Sequence, residues 1–216
     1  MYHLFNPENK FWNFVAKLTD VACMSILWAL VSLPLFTIGA ATTAFYDFTL
    51  HQVNDREGKI IRSFFSSFKA CFGKATLLWL LQLAGTAFFV LDLWAAWNFY
   101  LVRGGVPGIL LLGFCGCCAI IFLSCVLYVY PLLATFGFKL KKLIGNSFIM
   151  AMGNLHVTIT LFVMTALVCV AIYYVSGLFF LWIGLYIFFS SYFITGVFLK
   201  YARDPEDGEG KELPEE

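Results

Sequence analysis

Charged side chains fall in clusters along this chain, and long apolar runs separate them. Uncharged stretches extend from Val21 to Tyr46, from Ala75 to Val102 with Asp92 as the one interruption, from Gly104 to Phe138, and from Leu143 to Leu199. A helix crossing ~30 Å of hydrocarbon needs about 20 mostly apolar residues, so each run is long enough to cross at least once. The segment from Val157 to Leu199 is 43 residues. At 1.5 Å per residue that is about 65 Å, twice a bilayer. Ser176-Gly177 lies close to its middle and supplies the turn chemistry to divide it. The pattern predicts five membrane helices, at about 21–45, 76–99, 107–130, 157–176 and 178–199, in one helical domain over residues 1–203. The fold class is all-α, a polytopic membrane bundle. Lipid offers backbone polar groups no partner, which favours helices, and the runs lack the alternation of barrel strands.

Two shorter stretches have helical periodicity without the length to cross. In residues 60–74, Ile61, Phe64, Phe65, Phe68 and Phe72 share one side, while Arg62, Ser66, Lys69 and Gly73 fall largely on the other. A basic helix with an aromatic face suits the cytoplasmic headgroup zone, and it can also lie in a protein groove. Arg62, Phe64, Phe65, Phe68 and Lys69 are therefore the candidate lipid or partner surface. Phe11, Phe14, Val15 and Leu18 make a weaker version of the same pattern.

Composition supports the membrane reading. Hydrophobic residues are 61% of the 216 and charged residues 12%, against about 45–50% and ~25% in ordinary globular chains. That balance excludes a soluble enzyme, a nucleic-acid binder and a secreted disulfide scaffold. Seven of the thirteen acids lie in residues 204–216. With two prolines and two glycines, this end reads as a disordered, solvated tail. The remaining charges set the orientation. Lys and Arg gather at 56–74, at 139–142 and after Leu199, whereas the loops between have only Arg103. Basic loops stay in the cytoplasm, so the C-terminus is expected inside and, with five crossings, the N-terminus outside. If Pro34 split the first run into a re-entrant pair, the N-terminus would instead be inside. The polar opening residues are no cleavable signal peptide, so the first helix is expected to direct insertion.

Few residues carry candidate chemistry. Pro34 and Pro131 each remove a helix hydrogen bond and are expected to kink or end their helices. Pro34 opens Pro-Leu-Phe-Thr-Ile-Gly and Pro131 opens Pro-Leu-Leu-Ala-Thr-Phe-Gly, an echo compatible with the internal duplication of many transporters. Thr37 and Gly39 begin a small, hydroxylated stretch that permits close helix approach, and carbonyls freed near Pro34 are expected to be satisfied by Thr37 or by a neighbouring helix. Asp92 is an intramembrane acid, a default candidate for function. It falls near the outer interface beside Trp94, Trp97 and Tyr100, where water or Arg103 is its expected partner. Cys115, Cys117 and Cys118 lack zinc-site spacing and have no nearby His, so no metal or cofactor is expected. The sequence has no P-loop, H-E-x-x-H or G-x-S-x-G motif, so no enzyme is expected either.

Residues 32–44, Ser-Leu-Pro-Leu-Phe-Thr-Ile-Gly-Ala-Ala-Thr-Thr-Ala, resemble the signature of the YesL family of small bacterial membrane proteins. Phe64 to Lys69, Tyr130 to Ala134 and Ile144 to Phe148 extend the resemblance over most of residues 1–200; the acidic tail has no counterpart in it. The resemblance implies a multi-pass protein of the bacterial cytoplasmic membrane, in a family without an established activity whose genes often stand beside carbohydrate ABC importers. The expected function is thus a non-enzymatic accessory protein of carbohydrate ABC-type import, partnered by the bilayer and by importer subunits. The alternative is a small solute transporter or channel with its path near Pro34, Thr37 and Gly39.

Overall fold

A computed structural model describes residues 10–53 and 60–203, with side chains at 15–53, 62–102 and 104–201. The acidic tail, Arg56, Lys59 and the side chain of Arg103 lie outside the described residues. Seven helices follow in order: α1 (Lys10–Val31), α2 (Ile38–Val53), α3 (Ile60–Arg103), α4 (Gly105–Phe136), α5 (Leu140–Gly153), α6 (Leu155–Tyr174) and α7 (Phe179–Arg203). No strand occurs among the described residues. Four segments are long and apolar enough to cross a membrane: Arg62–Val102, Gly105–Phe136, Leu155–Tyr174 and Ser176–Tyr201. All seven helices contribute to one buried apolar core.

The helix expected at 21–45 is instead two. α1 ends at Val31, and a 3-10 turn at Leu35–Thr37 leads into α2. Pro34 has no N–H and disfavours helical geometry in the residue before it, which ends α1 here. The Thr37 hydroxyl donates to the carbonyls of Val31 and Pro34, both at 2.6 Å, and closes the reversal. The two helices then run antiparallel. Trp28 Nε1 donates to Thr42 Oγ1 at 3.1 Å, and Gln52 Nε2 donates to Asp20 Oδ2 at 3.3 Å. In one straight helix Trp28 and Thr42 would stand about 21 Å apart. This hairpin returns the chain to the side it left, so the start of α1 lies beside the end of α2. This is the geometry of the re-entrant pair that the sequence offered as the alternative to one span at 21–45.

α3 corrects a second expectation. Residues 60–74 and 76–99 form one helix of 44 residues, about 66 Å long. The charges at Lys69 and Lys74 carry no breaker with them, and Gly73 costs a helix only about 1 kcal/mol. The aromatic face of its first part covers protein. Phe64 is fully buried and stacks on Phe68 at 6.2 Å between centroids, and Phe68 and Phe72 pack on the core. α2 lies antiparallel against this stretch: Asp47 Oδ2 accepts from Ser67 Oγ at 2.5 Å, while Gly39 sits against Ala75 and Trp79.

α4 runs antiparallel to the rest of α3, with Gly108 against Tyr100 and Phe122 against Phe89 at 5.1 Å. Pro131 does not end α4, which continues to Phe136. A proline in a helix interior costs ~3 kcal/mol; here burial of Tyr130 through Leu133 offsets it. The two echoing motifs therefore behave differently, one reversing the chain and the other remaining helical. Gly137, at φ 56°, caps α4 through its N–H to the Leu133 carbonyl. α5 fills the connector that the sequence reading left without an element. α6 and α7 form the expected tight pair, joined through Ser176-Gly177.

Candidate functional site

The residues at the helix break are committed to packing. Thr37 is buried and spends its hydroxyl on the turn. A Cβ on Gly39 would stand 2.5 Å from the Ala75 carbonyl oxygen and 2.8 Å from Trp79 Cβ, so only glycine allows α2 and α3 this close. Pro34 itself is exposed, between Leu33 and Leu35, which are 76% and 74% exposed. Pro131 is buried in the core, away from any such turn.

Asp92 is half-buried on α3 and faces the buried thiol of Cys115 on α4. The side chain of Arg103, one of its expected partners, lies outside the described residues. All seven cysteines are free, with Cys117 exposed and Cys118 half-buried. Among the described residues, no three His, Cys, Asp or Glu side chains come together to hold a metal ion.

The proposed surface of residues 62–69 separates into two faces. Arg62, Phe65 and Lys69 are exposed; Phe64 and Phe68 belong to the core and its margin. Further basic residues join this face at one end of the bundle. Lys74 Nζ donates to the Gly137 carbonyl at 2.8 Å, which brings α3 to the α4–α5 junction with its exposed Lys139, Lys141 and Lys142. Phe136 meets Phe198 at 5.4 Å, placing the end of α7 and exposed Lys200 at this junction too.

A seam of buried hydroxyls joins helices far apart in sequence. Tyr46 and Ser190 hydrogen-bond at 3.2 Å and Thr49 and Ser191 at 2.7 Å, tying α2 to α7. Tyr128 bonds Thr158 at 3.0 Å, linking α4 to α6, and the Tyr130 hydroxyl donates to Gln82 Oε1 between α4 and α3. Tyr186 lies beside Tyr46 and Thr165. Sequence reading missed this seam. Its one visible trace is the adjacent Ser190 and Ser191 within an otherwise apolar helix.

A family model described as a protein of unknown function, DUF624, matches residues 21–93. The matched stretch contains the α1–α2 reversal and the part of α3 packed against it. No curated protein and no solved structure matches the chain.

Proposed function

We propose that this chain is a non-enzymatic accessory protein of the bacterial cytoplasmic membrane that serves carbohydrate ABC-type import. In this reading α3, α4, α6 and α7 cross the bilayer, and the C-terminus is cytoplasmic. The observation that carries it is the exposed basic end, where Lys74, Lys139, Lys141, Lys142 and Lys200 gather. Basic residues are retained on the cytoplasmic side, where an importer's nucleotide-hydrolysing subunits also reside. Arg62, Phe65 and Lys69 supply an exposed aromatic-and-basic strip beside it, suited to a protein groove. The likeness of residues 32–44 to the YesL family is what points to the importer; the match over residues 21–93 is to a family of unknown function and names no activity or partner. A solute path at the helix break is weakened by the use of Thr37 and Gly39 in closing the turn and seating α3.

Crosslinking in native membranes, followed by capture of the chain, tests this reading. Importer subunits are expected in the capture from wild type and reduced in the double variant Arg62→Glu, Lys69→Glu. Oligosaccharide uptake is expected to fall in a deletion strain. Unchanged uptake together with a capture free of importer subunits overturns the proposal.

A further inference from the structure

The α1–α2 hairpin has a polar base and an apolar tip. At the base, Gln52 bonds Asp20 and the Lys17 carbonyl, and Asp47 accepts from Ser67 and lies 3.5 Å from His51 Nδ1. At the tip, Leu33, Leu35 and Phe36 are exposed, the last at 53%. Ile26 and Leu30, also exposed, continue this surface down α1 at helical spacing. Reversals in water are built from Gly, Asn, Asp and Ser, whose backbone and side-chain chemistry suits solvent. Three large apolar side chains around a proline are the opposite choice.

Backbone satisfaction points the same way. An unpaired backbone group in hydrocarbon costs several kcal/mol, so each one that a turn satisfies internally lowers the cost of placing it there. Here the Val31 and Pro34 carbonyls accept from Thr37, the Ser32 N–H donates to Trp28, the Leu33 N–H donates to Leu30, and Pro34 has no N–H to satisfy. Length decides how far the hairpin reaches. From Asp20 to Val31 a helix rises about 17 Å, roughly half of the ~30 Å hydrocarbon layer. We infer that α1 and α2 are a re-entrant hairpin whose tip, Leu33 to Phe36, is buried among lipid acyl chains. It enters and leaves on the face where the basic residues lie. The inference concerns lipid contact alone and stands or falls independently of any importer.

Its test uses the full chain in its native membrane, with a photoreactive phenylalanine analogue in place of Phe36 and, separately, of Leu35. The same probe at exposed Leu110 on α4 serves as the lipid-facing control, and at exposed Lys142 as the aqueous one. After irradiation, mass spectrometry reads the adducts. Phospholipid acyl adducts at Phe36 and Leu35, within about twofold of the Leu110 yield, are the expected result. Adducts at both tip positions no more abundant than at Lys142, or a protein attached there in place of lipid, overturn the inference. Using two tip positions keeps the test decisive if one substitution disturbs the turn.

Discussion

Replacing Gly39 with alanine tests how closely α2 and α3 are packed. The added Cβ would lie 2.5 Å from the Ala75 carbonyl oxygen and 2.8 Å from Trp79 Cβ. Ordinary contact begins at 3.4 Å. The helices must therefore separate by about 0.9 Å along that line, and the Ala75 carbonyl is backbone that cannot swing aside. Overpacking of this kind costs about 1–3 kcal/mol, while exchanging glycine for alanine in a helix returns up to about 1 kcal/mol. The net expectation is a loss of up to about 2 kcal/mol. For a chain of this size, each kcal/mol moves the midpoint by about 2–4 °C, so Gly39→Ala should unfold up to about 8 °C earlier. Gly73→Ala supplies the internal control, because a Cβ there meets nothing within 4 Å; it should be neutral or slightly stabilising. The assay is thermal unfolding of the detergent-solubilised protein, followed by tryptophan fluorescence at one fixed scan rate, since such transitions are seldom reversible. A Gly39→Ala midpoint equal to or above that of Gly73→Ala refutes the close approach of α2 to α3.

Thr37→Val removes the hydroxyl that two turn carbonyls share and should cost about 1–3 kcal/mol. The same change at Thr160, whose hydroxyl serves only the His156 carbonyl in its own helix, should cost clearly less in a matched melt. Tyr46→Phe and Ser190→Ala, combined in a double-mutant cycle, should show a coupling of about 0.6 kcal/mol, the average for hydrogen bonds between membrane helices. Strict additivity would deny the α2–α7 bond.

Apolar run length is a strong signal, and it located four membrane-length segments and the α6–α7 turn. Each boundary there depends on what lipid demands of some twenty consecutive residues. The reversal near Pro34 was less legible, because Val21 to Tyr46 has the length and polarity of a single span. What selects the hairpin is Thr37 reaching back to Val31 and Gln52 meeting Asp20 across 32 positions. In α3, charge was a misleading guide. Lys69 and Lys74 mark a change of surroundings, but nothing there interrupts the backbone. The aromatic side of residues 60–74 has the right period for either lipid or protein, and only the position of α2 decides between them. The hydroxyl seam lay out of reach for a related reason: Tyr46 and Ser190 are 144 positions apart, and each alone looks like an ordinary tolerated polar residue.

In the proposed arrangement, four crossings and a hairpin that turns back put both ends of the chain on one face of the membrane. The direct measurement is protease accessibility of distinct epitope tags at Met1 and after Glu216, in sealed spheroplasts and in inverted vesicles of the same cells. Both tags should be protected in spheroplasts and digested together in inverted vesicles. Digestion of one tag in each preparation would mean that the chain crosses an odd number of times, and would contradict the account.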